Sequence, residues 1–202
     1  MITRLIEKRW RSTVFCCALL LGALVIAPHW LHTQDERYQG VPVHLNADEF
    51  SYLPRVQEVL TSGVDRFGVS IAGGEDLLPV LQPGLIEKVH GILFRPFVER
   101  ASTIFTLMDF VMPFLLFLVM VGFCRACKLS RKQALAVAIL FSLLELYNLG
   151  RPIHQRVSFL LVLLSLWGLS EGLERNKVWR IFGGALMGIL IGIYFWSFTA
   201  VW

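Results

Sequence analysis

The sequence predicts an all-α, polytopic transmembrane helical bundle of about five spans, with a large extracytoplasmic first loop that carries amphipathic helices. Three observations point to it. Hydrophobic residues make up 55% of the chain and the mean hydropathy is +0.62, more apolar surface than a soluble domain of 202 residues needs. That apolar content is gathered into long runs separated by charged stretches. The charges between the runs are sorted by side, as the positive-inside rule requires of a multi-pass protein.

The first run, Ser12 to Trp30, follows Arg4, Lys8, Arg9 and Arg11. Its 19 residues match the roughly 20 needed to cross the hydrocarbon core. A basic segment leading into an apolar one also describes a cleaved signal peptide. This run exceeds the usual apolar core of one and has no clear small-x-small exit, so an uncleaved span ending near Pro28-His29-Trp30 is the expectation. Further runs are Ile104 to Phe123, Gln133 to Leu149, Val157 to Leu169 and Ile181 to Trp202, of which the Gln133 and Val157 runs are short for spans.

With the N-terminus cytoplasmic, the inner pieces hold 11 Lys/Arg against Glu7, Glu171 and Glu174, and the outer side holds eight Lys/Arg against ten acids. All ten of those acids fall in the first loop. The chain therefore divides into residues 1–31 (cytoplasmic N-terminus and first span), 32–102 (external loop) and 103–202 (four further spans). A bacterial inner membrane is the expected location. The cysteines Cys16, Cys17, Cys124 and Cys127 lie in or beside spans, so no disulfide framework is expected in the loop. Cys124-x-x-Cys127 has no second pair beside it to complete a zinc site.

A loop of about 70 residues is too long for a plain connector. Asn46 or Asp48 caps a predicted helix whose apolar residues 53, 56, 59 and 60 share one face, and Gly63 ends it. Pro54 falls in its first turns or marks a kink. After a Gly-rich passage, Pro83-Gly84 opens a second amphipathic segment, Leu85 to Phe97, which Gly91 and Pro96 are expected to break. Two such helices suit the interface plane or the bundle's end.

Four features carry candidate chemistry. Asp48-Glu49, adjacent carboxylates close after a span, suit a general base or a divalent-cation ligand, and equally the acidic first turn of a helix. Arg151-Pro152-Ile153-His154-Gln155-Arg156 falls in a short outer turn, against the positive-inside rule. Its guanidinium groups fit phosphate, and its plain alternative is interfacial anchoring of short helices. Asp109 and Glu145 lie inside spans, where a carboxylate faces a cavity or a partner. Glu145 is expected to pair with Arg151, whereas nothing in the sequence names a partner for Asp109. Gly184-x-x-x-Gly188-x-x-x-Gly192 is expected to let helices pack closely, and Tyr194, Trp196, Phe198 and Trp202 read as an aromatic belt.

Asp48-Glu49-x-x-Tyr52-x-x-Arg55 in the first external loop resembles the GT-C superfamily of membrane glycosyltransferases, as do the Arg151–His154 turn and the Tyr194–Phe198 segment. The likeness covers nearly the whole chain as topology, through short motifs. It implies sugar transfer from a polyprenyl-phosphate-linked donor on the extracytoplasmic face. It implies Asp48 as the catalytic or metal-binding carboxylate, with Glu49 its substitute and Mg or Mn the cation. Tyr52, Arg55, Arg151, His154 and Arg156 would then contact substrate, the arginines and histidine of the outer turn holding the donor's phosphate. Members of that superfamily usually have around ten or more spans, so the expectation is an N-terminal part of a longer protein or a degenerate relative.

Two other classes compete with the enzyme: a non-catalytic membrane component whose external loop binds a partner, and a transporter. Against the transporter, the loop is large and no discontinuous spans repeat in two halves. Nucleic-acid binding has no support in the sequence and no nucleic-acid partner is expected, because the basic residues sit mostly at cytoplasmic span ends.

Overall fold

A computed structural model describes residues 9–39, 49–63, 84–144, 153–174 and 176–193. Asp48, Glu145, Arg151 and the aromatic segment from Tyr194 onward lie outside the described residues. The helices are α1 (Trp10–Thr33), α2 (Glu49–Ser62), α3 (Leu85–Phe94), α4 (Ala101–Ala126), α5 (Arg131–Leu144), α6 (Ile153–Glu174) and α7 (Lys177–Ile193). Among the described residues there is no strand.

Three helices are long and apolar enough to cross a bilayer: α1, α4 and the Arg156–Leu173 stretch of α6. The sequence pattern undersold α6. Its apolar run from Val157 to Leu169 is short, but Ile153–His154–Gln155–Arg156 and Ser170–Glu174 extend it as helix to 22 residues. α5 and α7 have 14 and 17 described residues. α1 runs on through Pro28 to Thr33 rather than ending there, at the cost of the hydrogen bond that a proline nitrogen cannot donate to the carbonyl four residues back.

α1 buries one stripe, Val14, Ala18, Leu21 and Val25, at helical spacing. It packs against Leu116, Phe117, Met120, Val121 and Cys124 of α4, with Ala134, Leu135 and Ala138 of α5 and Leu163 of α6 completing this half of the core. The opposite faces carry Phe15, Leu20, Leu24 and Leu31 on α1 and Leu140, Leu143 and Leu144 on α5, all at least half exposed. So broad an unpaired apolar surface is what a lipid-facing protein presents.

Glycines set the closest approaches. A side chain at Gly22 would fall 2.7 Å from the carbonyl oxygen of Phe110, and one at Gly122 would strike the Trp167 ring at 2.5 Å. The α6–α7 hairpin closes on Gly168, Gly172 and Gly183, where the Ser165 hydroxyl also donates to the Gly183 carbonyl at 2.8 Å. Among the described residues nothing lies within 4 Å of a side chain built at Gly184 or Gly188 of the glycine stripe, and the neighbouring Gly183 makes the close contact with α6.

The loop helices dock on the bundle. Tyr52, Val56 and Leu60 of α2 join Ile86 of α3, Ala101, Ile104, Phe105 and Met108 of α4, Val157 of α6 and Ile193 of α7 in a second apolar cluster. Gly63 ends α2 at φ 74° as expected. Gly91, expected to break the next segment, lies inside α3, where the absent side chain lets Val59 and Leu60 of α2 approach. α3 buries Glu87 and His90 beside Ile86, while Leu85, Val89, Ile92 and Leu93 are exposed. A helix takes that orientation when its surroundings are less polar than its protein neighbours.

The turn from α4 to α5 is secured by a capping box. The Gln133 side chain accepts from the Ser130 backbone N–H at 2.9 Å, and the Ser130 hydroxyl accepts from the Gln133 N–H at 3.3 Å. Replacing Ser130 with Ala is expected to cost about 1 kcal/mol. Thermal unfolding of the detergent-solubilised protein would register this as a lowered midpoint, with unchanged helix content by circular dichroism before the transition.

Candidate functional site at the loop end of the bundle

The loop end of the bundle holds most of the buried charge among the described residues. The α1 stripe that begins at Val14 arrives at His29, two turns past Gly22 on the same helix. Because Gly22 draws α1 against α4, His29 Nε2 reaches Asp109 Oδ2 at 2.5 Å. A carboxylate only accepts, so Nε2 carries the hydrogen. The other carboxylate oxygen, Oδ1, pairs with Nη1 of Arg156 in the first turn of α6. Asp109 has no solvent exposure, and Arg156 and His29 are 4% and 7% exposed.

Each member of this trio is unfavourable alone. A carboxylate inside an apolar span is costly without a partner, and a cation in the first turn opposes the helix dipole. Together one carboxylate balances one guanidinium and three helices are tied at one point. The other two guanidinium nitrogens of Arg156, Nε and Nη2, are buried without a hydrogen-bond partner among the described residues, as is Nδ1 of His29. Nε and Nη2 form the edge of the guanidinium that grips a carboxylate or phosphate through two parallel bonds.

A second ion pair joins the loop helices, Arg55 Nη1 of α2 lying 2.8 Å from Glu87 Oε1 of α3, with Glu87 1% exposed. Beside it on α3, the His90 Nδ1–H donates to the Ile86 carbonyl at 2.8 Å. Burial pushes the His90 imidazole below the ordinary histidine range. The bond to Ile86 opposes that shift, and the nearby Arg156 charge reinforces it.

Of the residues singled out in the sequence, Tyr52, Arg55 and Arg156 are buried at this end of the bundle. Glu49 opens α2 and His154 is the second residue of α6, both described as backbone only. Asp109, for which the sequence named no partner, gains two. The sequence reasoning missed His29, Glu87 and His90. A signal existed for His29, which continues the spacing of Val14, Ala18, Leu21 and Val25. Glu87 and His90 were not singled out, because the spacing of α3 does not mark which residues of its polar side meet another helix. Among the described residues no group of three or more His, Cys, Asp or Glu is placed to hold a metal ion.

Protein-family models, curated proteins and solved structures give no significant match to this chain.

Two measurements follow from this geometry. Asp109→Leu or Arg156→Met alone leaves a buried charge uncompensated, so each is expected to cost about 3 kcal/mol or more. The double replacement should recover much of that loss in a thermal-denaturation cycle. His90 is expected to make the fold acid-sensitive. Its folded pKa lies below that of the unfolded chain, about 6.5, so the unfolded state binds more protons in between. Stability should therefore be full above that value and fall as pH drops through it. His90→Phe should flatten the pH dependence of the unfolding midpoint between about pH 7 and 5.

Proposed function

We propose that this chain is a multi-pass membrane protein that binds a phosphate-bearing, lipid-linked sugar at the loop end of its bundle and acts there as a glycosyltransferase of the GT-C type. The observation that carries the reading is Arg156. Its Nη1 is fixed by Asp109 and its buried Nε–Nη2 edge has no partner among the described residues, the edge through which arginine grips a phosphate. α2, which begins one residue after Asp48, brings Tyr52 and Arg55 to the same end. In this proposal Asp48 is the base or the ligand of a Mg or Mn ion, Glu49 its substitute, and Arg151 and His154 help Arg156 hold the phosphate.

The orientation belongs to the same proposal. Arg9, Arg11, Arg125, Lys128, Arg131, Lys132, Lys177 and Arg180 flank the opposite ends of the helices, so that end is cytoplasmic and α2 and α3 are extracytoplasmic. Completion of α5 and α7 across the bilayer gives five spans. The exposed Leu85, Val89, Ile92 and Leu93 of α3 then meet the outer leaflet.

One observation favours a second reading. Arg55 pairs with Glu87 inside the chain and makes α2 and α3 a fixed platform, while Asp109 with His29 and Arg156 ties α1, α4 and α6 together. A platform of that kind suits a non-catalytic component that binds a protein partner.

Polyprenyl monophosphate titrated into the detergent-solubilised chain, followed by intrinsic tryptophan fluorescence, tests the first reading. Saturable binding is expected, weakened about ten-fold in Arg156→Lys, which keeps the charge and loses the fork. In membranes, Asp48→Asn should abolish transfer of labelled sugar from a polyprenyl-phosphate donor while leaving that binding intact. Absence of saturable binding, or an Arg156→Lys variant that binds equally well, contradicts the proposal. Silent Asp48→Asn beside disruptive changes on the apolar face of α2 would favour the binding component.

A further inference from the structure

A cleft runs between the last turn of α1 and the first turns of α4, outside the buried trio. It comprises two adjoining hollows of about 280 and 390 Å³ that share Ile26, Tyr38 and Thr106 as walls. Its upper rim is polar: Arg100, Ser102, Thr103 and the ring of Tyr38, which is held edge-on to His32. Its lower wall is apolar, with Ile26 and Leu107. His29 forms part of the inner wall, so the cleft meets the trio at that ring.

The cleft lies where two membrane-length helices end, so it sits at head-group depth. Exposed Trp30 and Phe97 mark the same level. Arg37 is committed to Asp35 through two side-chain bonds, whereas among the described residues no acid pairs with the exposed Arg100. A polar, cationic rim above an apolar wall matches an amphiphile standing in a leaflet.

We infer that this cleft seats the phosphate head group of an anionic lipid drawn from the bilayer. Arg100 supplies the charge, the hydroxyls of Ser102, Thr103 and Tyr38 supply donors, and the acyl chains descend past Ile26 and Leu107. The inference stands apart from the transferase reading, because none of these residues belongs to the proposed donor site.

The full chain, reconstituted with equal parts phosphatidylglycerol and phosphatidylcholine and released in mild detergent, is examined by native mass spectrometry. Phosphatidylglycerol should be retained in preference to phosphatidylcholine. Arg100→Gln, at an exposed position, should cut that preference about five-fold, and Thr106→Phe, which fills the shared wall, should do the same. Arg37→Gln should leave it unchanged, and millimolar inorganic phosphate should not displace the lipid. Equal retention of both lipids overturns the inference, as does preference surviving both Arg100→Gln and Thr106→Phe. Displacement by inorganic phosphate would also overturn it, assigning the cleft to a free anion.

Discussion

A carboxylate in the apolar stretch of a membrane-length helix must acquire donors and a countercharge before that helix can sit in lipid. Asp109 acquires them from two other helices, through His29 and Arg156. The arrangement of α1, α4 and α6 follows from that requirement. Gly22 has to be small so that α1 approaches closely enough for His29 to reach. Arg156, unfavourable in a first helical turn, has to lie against α4. A buried pair of this kind adds little net stability over a well-packed apolar core, but it penalises packings in which the partners are apart. On this account it specifies the register of three helices.

The same end of the molecule explains α3. A helix with Leu85, Val89, Ile92 and Leu93 outside and Glu87 and His90 inside would be misoriented in water. Against lipid the arrangement is ordinary, because the polar side finds Arg55 and backbone carbonyls while the apolar side needs no partner. The loop end is therefore polar at its centre and apolar at its margin. That combination places a buried arginine, whose Nε and Nη2 have no partner among the described residues, and a separate cleft within one neighbourhood.

Much of the helical layout was legible in the sequence, since the apolar runs from Ser12 and Ile104, the helix after Asp48 and its end at Gly63 all have local causes. What was not legible depends on the third dimension. The length of α6 was hidden because its ends are polar residues that continue a helix without adding hydropathy. The glycine that meets α6 is Gly183, one position before the stripe, as periodicity alone cannot say which face of α7 turns to α6. For the site, Tyr52, Arg55 and Arg156 were picked out by residue type and spacing. The partners of Asp109 were not, because His29 and Arg156 are distant in sequence and meet only through packing.

The most direct test of the central interaction is a solid-state NMR dipolar measurement in lipid bilayers between the ¹⁵N-labelled imidazole of His29 and the ¹³C-labelled side-chain carboxyl of Asp109. The account predicts a direct hydrogen-bonded contact at Nε2, with the carboxyl signal shifting when Arg156 is replaced by Met. If no dipolar coupling links the two groups in bilayers, or if the carboxyl signal is indifferent to Arg156, then Asp109 does not join α1 to α6 and the account fails.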